Sequence, residues 1–195
     1  MRLSAILLLL LAFTLAAPSR VDTAKTFGNP AAPITLELFS DYQCPACRAF
    51  HMQILPPLMR EFVFPGRAYL VYKEFPLNQH SHAKEAATYA VAAARVGKYE
   101  QVGDALFQNQ NTWEASGKIF DSIASALTPA EQKKVQALVK DPSVISEVDQ
   151  DVQEGMLERV NETPTMIIIR GQKKYPIAGP PNYTFLRSLL NDLAK

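Results

Sequence analysis

Apolar and polar positions alternate over residues 34–39, with Ile34, Leu36 and Leu38 set against Thr35, Glu37 and Phe39, and this two-residue period predicts a strand. Just beyond it the period lengthens. Phe50, Ile54, Leu58 and Phe62 recur every four residues, which predicts a helix. Pro45 suits the first turn of that helix, where a missing N–H costs nothing. Pro56-Pro57 should kink or end it, because an interior proline costs about 3 kcal/mol. Residues 67–75 predict a second strand, closed by Pro76, and residues 27–33 predict a leading loop around Gly28-Asn29-Pro30.

From 77 to 160 the pattern is helical. Ala83, Ala86, Ala87, Ala90, Val91 and Ala94 form one stripe, with His80, Ser81 and His82 at its start, where Ser81 can help with capping. Thr128-Pro129-Ala130-Glu131 spells a capping box with proline at the first helical position. Asp141-Pro142 opens a further helix whose stripe reads Val144, Val148, Val152, Met156. Strand character returns over 165–170, turns at Gly171-Gln172 and continues over 173–178. A last helix carries Phe185, Leu186, Leu189, Leu190 and Leu193. The order is β-α-β, a helical block, then β-β-α. This predicts one α/β unit made of 18–76 and 161–195, interrupted by a helical insertion over 77–160.

Residues 1–17 stand apart from this pattern. Met1-Arg2 is followed by fifteen uncharged residues rich in Leu and then by Pro18, Ser19 and Arg20, which reads as a secretory signal peptide cleaved after Ala16 or Ala17. The apolar run falls short of the roughly 20 residues that span a bilayer, so an uncleaved membrane anchor is the weaker alternative. The mature protein is therefore expected outside the cytoplasm, periplasmic or otherwise extracytoplasmic, where disulfides persist. With 48% hydrophobic and 20% charged residues the chain is not a disordered, collagenous or coiled-coil sequence. Its net charge of +1, which falls to zero with the loss of Arg2, offers no basic footprint for nucleic acid.

The 195 residues contain two cysteines, Cys44 and Cys47, placed where the first strand meets the helix. Residues i and i+3 share one face of a helical turn, at a separation a disulfide tolerates, so Cys44-Pro45-Ala46-Cys47 can open and close without moving the fold. At the helix start Cys44 meets unpaired N–H groups and the positive end of the dipole, which favour its thiolate. Cys47, one turn inside, is expected to be the more buried, resolving thiol, and Cys44 the solvent-facing one. Two other readings are a static local disulfide and a metal site completed by His51, His80 or His82. His51 alone reads better as a packed or solvent-edge helix residue. No cofactor is implied beyond the Cys44–Cys47 disulfide, and no metal. Thr163-Pro164-Thr165 precedes the strand at 165; by itself such a proline simply starts a strand.

Taken together, Phe39-Ser40-Asp41-Tyr42-Gln43-Cys44-Pro45-Ala46-Cys47-Arg48-Ala49-Phe50-His51, Glu74-Phe75-Pro76-Leu77 and Thr163-Pro164-Thr165 resemble the DsbA-like branch of the thioredoxin superfamily. The resemblance implies a thioredoxin fold, a central mixed β-sheet flanked by helices with an inserted α-helical domain, and a cis Pro164 facing the cysteine pair. It implies a thiol:disulfide oxidoreductase in which Cys44 and Cys47 are catalytic. Thr163, Pro164, Pro45 and Ala46 would then tune the thiolate or bind substrate. It implies unfolded exported proteins as substrates and a membrane partner that reoxidises, or reduces, the pair. A reductase or isomerase of the same fold is the main alternative. Isomerases usually add a dimerisation domain, for which no segment follows the leader, so the expectation is a monomeric oxidase. One departure stands out. Many relatives carry a buried acid six residues before the first cysteine, where this chain has Leu38; Glu37 should face the other way, and Glu74, the one possible substitute, reads better as a solvated charge beside Lys73.

Overall fold

The computed structural model describes residues 25–195, so the leader expected over 1–17 lies outside the described residues. Strands β1 (Thr26–Gly28), β2 (Ile34–Ser40), β3 (Ala68–Glu74), β4 (Thr165–Arg170) and β5 (Lys173–Ala178) form one sheet in the order β1-β3-β2-β4-β5. Only β2 and β3 run parallel. A parallel pair needs a crossover, and here the crossover is the helix that follows the cysteine motif. β1 falls where a loop was expected. Its three residues are too few to show a period, and pairing with β3 (Phe27 opposite Leu70) makes it a strand.

The crossover helix α1 covers 45–63 and does not stop at its prolines. α-Helical turns Pro45–Ala49 and Leu55–Leu58 alternate with π-helical turns Phe50–Ile54 and Met59–Val63. The Leu55 N–H reaches back five residues to the Phe50 carbonyl, and the Phe64 N–H to that of Met59 at 2.8 Å. A wider turn on either side of Pro56-Pro57 lets the helix change register there instead of ending.

The block between β3 and β4 holds α2 (Ala83–Ala94), α3 (Tyr99–Gln108), α4 (Gln110–Ser116), α5 (Ile119–Ile123), α6 (Pro129–Leu138) and α7 (Pro142–Leu157); α8 (Tyr183–Leu193) follows β5. The capping box at α6 forms as the sequence implies, with Thr128 N–H donating to Glu131 Oε2 at 2.8 Å. At α2 the expectation fails. His82, not Ser81, is the N-cap, no side chain caps it, and its N–H is taken by Gln43 Oε1 at 2.8 Å.

Side chains of β2 divide between the two faces of the sheet. Ile34, Leu36 and Leu38 join the large core with Phe50, Leu58 and Phe62 of α1, while Phe39 joins Phe75, Val160 and Ile167 in a smaller core on the other side. The α7 stripe differs from the predicted one. Its buried positions are Val144, Val148, Asp151 and Gly155, and Met156 is exposed. Asp151 breaks an apolar reading of this face but is buried because Lys25 Nζ (2.6 Å), Lys73 Nζ (3.2 Å) and the Glu74 N–H (3.0 Å) all bond its carboxylate. On α8, Phe185 is likewise exposed, and Leu186 and Leu190 carry the packing.

Gly155 sits where a Cβ would lie 2.5 Å from the Phe75 ring and 3.1 Å from Phe39. In a helix, Gly→Ala ordinarily gains up to about 1 kcal/mol. Here overpacking against two buried rings, costing about 1–3 kcal/mol, outweighs that gain. Gly155→Ala is expected to lower the urea midpoint; an unchanged or raised midpoint contradicts the packing described.

Candidate functional site

β2 ends at Ser40, and residues 41–44 turn into α1 with Cys44 as N-cap (φ −78°, ψ 122°) and Pro45 as the first helical residue. Cys44 and Cys47 are both free thiols, so this is the dithiol form. Cys47 is 1% exposed and Cys44 7%, so the sulfur expected to face solvent is itself largely covered, though less than its partner. The cover comes from the segment before β4. Thr163-Pro164 is a cis peptide, and the Cys44 thiol donates to the Thr163 carbonyl at 3.3 Å. Pro164 is buried, Pro45 exposed and Ala46 half-buried.

The two thiols are driven apart in acidity. Cys44 is pushed down to about 5, chiefly by the hydrogen bond from the Cys47 thiol and further by Thr163 and the N–H groups of Cys47 and Ala46, all against the effect of burial. Cys47 is pushed far up, chiefly by burial and then by the bond and charge of Cys44. The Thr163 hydroxyl is buried without a conventional hydrogen-bond partner and favours the thiolate of both sulfurs. One sulfur is thus built to carry charge at neutral pH and the other to hold a proton.

Side chains from distant segments fix the turn. Asp41, 1% exposed, accepts from the Gln43 N–H (2.7 Å) and the Leu77 N–H (2.9 Å) and pairs with His80 Nδ1 at 2.7 Å. Its own N–H donates to Cys47 Sγ at 3.4 Å. Gln110 Nε2, from α4, donates to the carbonyls of Tyr42 (2.7 Å) and Cys44 (3.1 Å), and Arg48 Nε donates to that of Phe107 (3.0 Å). Sequence reasoning placed no role on Asp41, Gln110 or Arg48. Asp41 lies within the motif and could have been singled out as a polar residue beside the cysteines; Gln110, 66 positions from Cys44, gave no signal.

Among the described residues, no three His, Cys, Asp or Glu side chains are grouped to hold a metal. The histidines go separate ways: His51 Nε2 pairs with Asp104 at 2.7 Å and its ring lies against Phe107, while His80 serves Asp41.

Glu74 overturns the expectation of a solvated charge. It is 1% exposed, takes the Tyr99 hydroxyl at 2.7 Å, and is pushed up to about 8 by burial, against the pull of Lys25. Strand alternation puts it in phase with Leu70 and Tyr72, on the face that also holds Leu38. Glu37, on the opposite face, is raised by burial to a lesser depth.

A family model described as Thioredoxin matches residues 20–192. The chain is 22% identical over 152 residues to a probable disulfide bond formation protein D of Bacillus cereus, covering 75% of this chain and 70% of that protein. It is 29% identical over 164 residues to a Na(+)/H(+) antiporter NhaA 1 of Mycobacterium sp. (strain KMS), covering 84% of this chain but only 26% of the antiporter's length. Among the described residues no helix is long and apolar enough to cross a membrane. The crystal structure of oxidised BdbD from Bacillus subtilis superposes with a TM-score of 0.73 at 20% identity, over 87% of this chain and 92% of that one.

Two pH profiles follow from the site. Iodoacetamide should alkylate Cys44 of the reduced protein with a midpoint near pH 5, and Cys47→Ala, which removes the main donor, should raise that midpoint by a pH unit or more; an ordinary thiol midpoint in the unmodified protein contradicts this geometry. For Glu74 the folded value lies above the unfolded one, so its stabilisation is full below pH 4.5 and is lost as pH rises through about 8. Urea unfolding at pH 5 and pH 9 should therefore show the balance shifting in favour of Glu74→Gln at the higher pH; a pH-independent gap contradicts a buried, protonated Glu74.

Proposed function

We propose that this chain, which belongs to the thioredoxin family and is a thiol:disulfide oxidoreductase of its DsbA-like branch, works in the oxidising direction: outside the cytoplasm, it places disulfides in exported proteins. The observation that carries the direction is the split between the two thiols. A Cys44 thiol at about 5 leaves the reduced form with a stable thiolate at neutral pH, and stabilising the reduced form makes the disulfide the stronger oxidant.

The chemistry then runs in two displacements. A substrate thiolate attacks Cys44 Sγ and forms a mixed disulfide. The Cys44–Cys47 bond breaks and its electron pair leaves on Cys47, which takes up a proton. A second substrate thiolate attacks the substrate sulfur of the mixed disulfide and releases Cys44 as thiolate, which needs no proton because its pKa lies near 5. The substrate leaves oxidised and the pair reduced.

The exposed Pro45 and half-buried Ala46 form the approach on one side, and Thr163 with cis Pro164 forms the floor, where the Thr163 carbonyl faces Cys44. A chain of near-zero mature charge imposes no electrostatic selection on unfolded polypeptides. A membrane partner would return the pair to the disulfide, and the apolar leader over 1–17 supports the extracytoplasmic setting.

Cys44→Ser should abolish oxidation of a reduced peptide, and Cys47→Ala should accumulate mixed disulfides visible by mass. The equilibrium potential against glutathione decides direction: a value near about −120 mV marks an oxidase, and one near about −270 mV a reductase and the loss of this reading.

A further inference from the structure

The exchange reaction proposed above puts negative charge on Cys47 at the moment the disulfide opens, and besides the Thr163 hydroxyl a main-chain donor already faces that sulfur. The Asp41 N–H points at Cys47 Sγ from 3.4 Å. The peptide that carries it is held from its other end too, since the Ser40 carbonyl accepts the Phe75 N–H at 2.8 Å. What fixes Asp41 itself is its carboxylate, which is wholly buried and bonded to the N–H groups of Gln43 and Leu77 and to His80. The two N–H donors belong to the backbone. His80 is the side-chain partner, it comes from the segment between β3 and α2, and it keeps 20% of its side chain exposed.

We propose that His80 is a positioning residue for the resolving cysteine: by clamping the Asp41 carboxylate it holds the Asp41 N–H on Cys47 Sγ, where it stabilises the charge that this sulfur takes up. The step is the first displacement. The attacking thiolate is oxidised as it bonds to Cys44 Sγ, the Cys44–Cys47 bond breaks, and the electron pair passes to Cys47, which is reduced and then takes a proton from solvent. A preorganised main-chain donor aimed at the atom where charge develops lowers the barrier without reorganising during the reaction. Losing His80 leaves a buried carboxylate short of a donor, and the turn over 41–44 relaxes to satisfy it. The N–H then drifts from the sulfur. The effect reaches Cys44 as well, because the Cys47 thiol is the donor that holds the Cys44 thiolate.

The test uses the full mature chain with His80→Ala, His80→Asn and His80→Gln. Asn can present an N–H near the position of Nδ1, whereas Gln carries its N–H one carbon further out. Two quantities are read: the second-order rate at which reduced glutathione opens the Cys44–Cys47 disulfide, and the pH midpoint of Cys44 alkylation. His80→Ala is expected to open about tenfold more slowly, the effect of losing one well-placed donor, and to raise the Cys44 midpoint. His80→Asn should recover both, and His80→Gln should not. A folded His80→Ala protein of lowered melting temperature but unchanged rate and midpoint overturns the proposal, because a purely structural strap predicts that result. If His80→Ala does not fold, equal opening rates for the Asn and Gln variants overturn it instead. Neither readout depends on direction: a wild-type protein that fails to oxidise a reduced peptide would remove the oxidase reading, while the glutathione rates would still decide the role of His80.

Discussion

The hydrogen bond from the Cys47 thiol to the Cys44 sulfur is the interaction on which the rest of the site depends. It requires one sulfur to keep its proton and the other to give its proton up, and adjacent thiols do this only when their surroundings differ. Position on the helix supplies part of the difference: Cys44 as N-cap meets free N–H groups, while Cys47 sits a turn further in. Burial supplies the rest, because the closed side of Cys47 penalises its charged form. Holding that asymmetry means holding a short turn rigidly, and this explains why so many otherwise unrelated segments converge on residues 41–44.

Those segments arrive by topology. The parallel pairing of β2 with β3 forces the crossover helix to begin at the end of β2, which sets the cysteines at the edge of the sheet where β3 also ends. The segment after β3 therefore passes beside the turn and delivers Leu77, His80 and His82 to Asp41 and Gln43. β4, antiparallel to β2, begins at the same edge and brings the cis Thr163-Pro164 bond to the other side of Cys44. The helical block is not a passive insertion in this arrangement, since Gln110 of α4 and Phe107 of α3 bind the turn and the first turns of α1.

What could be read from the sequence was whatever local period or local chemistry determines. The strands at 34 and 68, the Thr128–Glu131 capping box and the position of Cys44 at a helix start are of this kind, and so is the order of elements that places a helical block within an α/β unit. The departures share a different cause. β1 exists only because β3 offers an edge to pair with, and α1 survives Pro56-Pro57 only by π-helical turns. The α7 stripe was misread at Asp151, whose burial depends on lysines 126 and 78 positions away. Glu74 could have been placed correctly, because it keeps the alternation of Leu70 and Tyr72; its neighbour Lys73 suggested solvent, but Lys73 lies on the opposite face with Asp151 and Glu154.

Glu74 also bears on how the site does without an acid at position 38. Leu38 is buried in the large core, and the buried acid on the same face lies one strand over, as the last residue of β3, paired with Ser40. Its hydrogen bonds run to Tyr99 of the helical block and, through its N–H, to Asp151 of α7, and not to either sulfur. A carboxyl there, held near 8 and so largely protonated at neutral pH, contributes little charge to the cysteine pair. That bonding matters for Cys47 in the proposed exchange. In that proposed exchange, a carboxylate beside Cys47 would oppose the charge that this sulfur takes up when the disulfide opens, whereas a main-chain N–H favours it. With an apolar residue at position 38, the main-chain donor that faces Cys47 is the Asp41 N–H, and the carboxylate of the same residue is hydrogen-bonded to Gln43, Leu77 and His80. The chain thus separates two tasks: a buried acid joins the sheet to the insertion at Glu74, and a dipole without net charge attends the sulfur at Asp41.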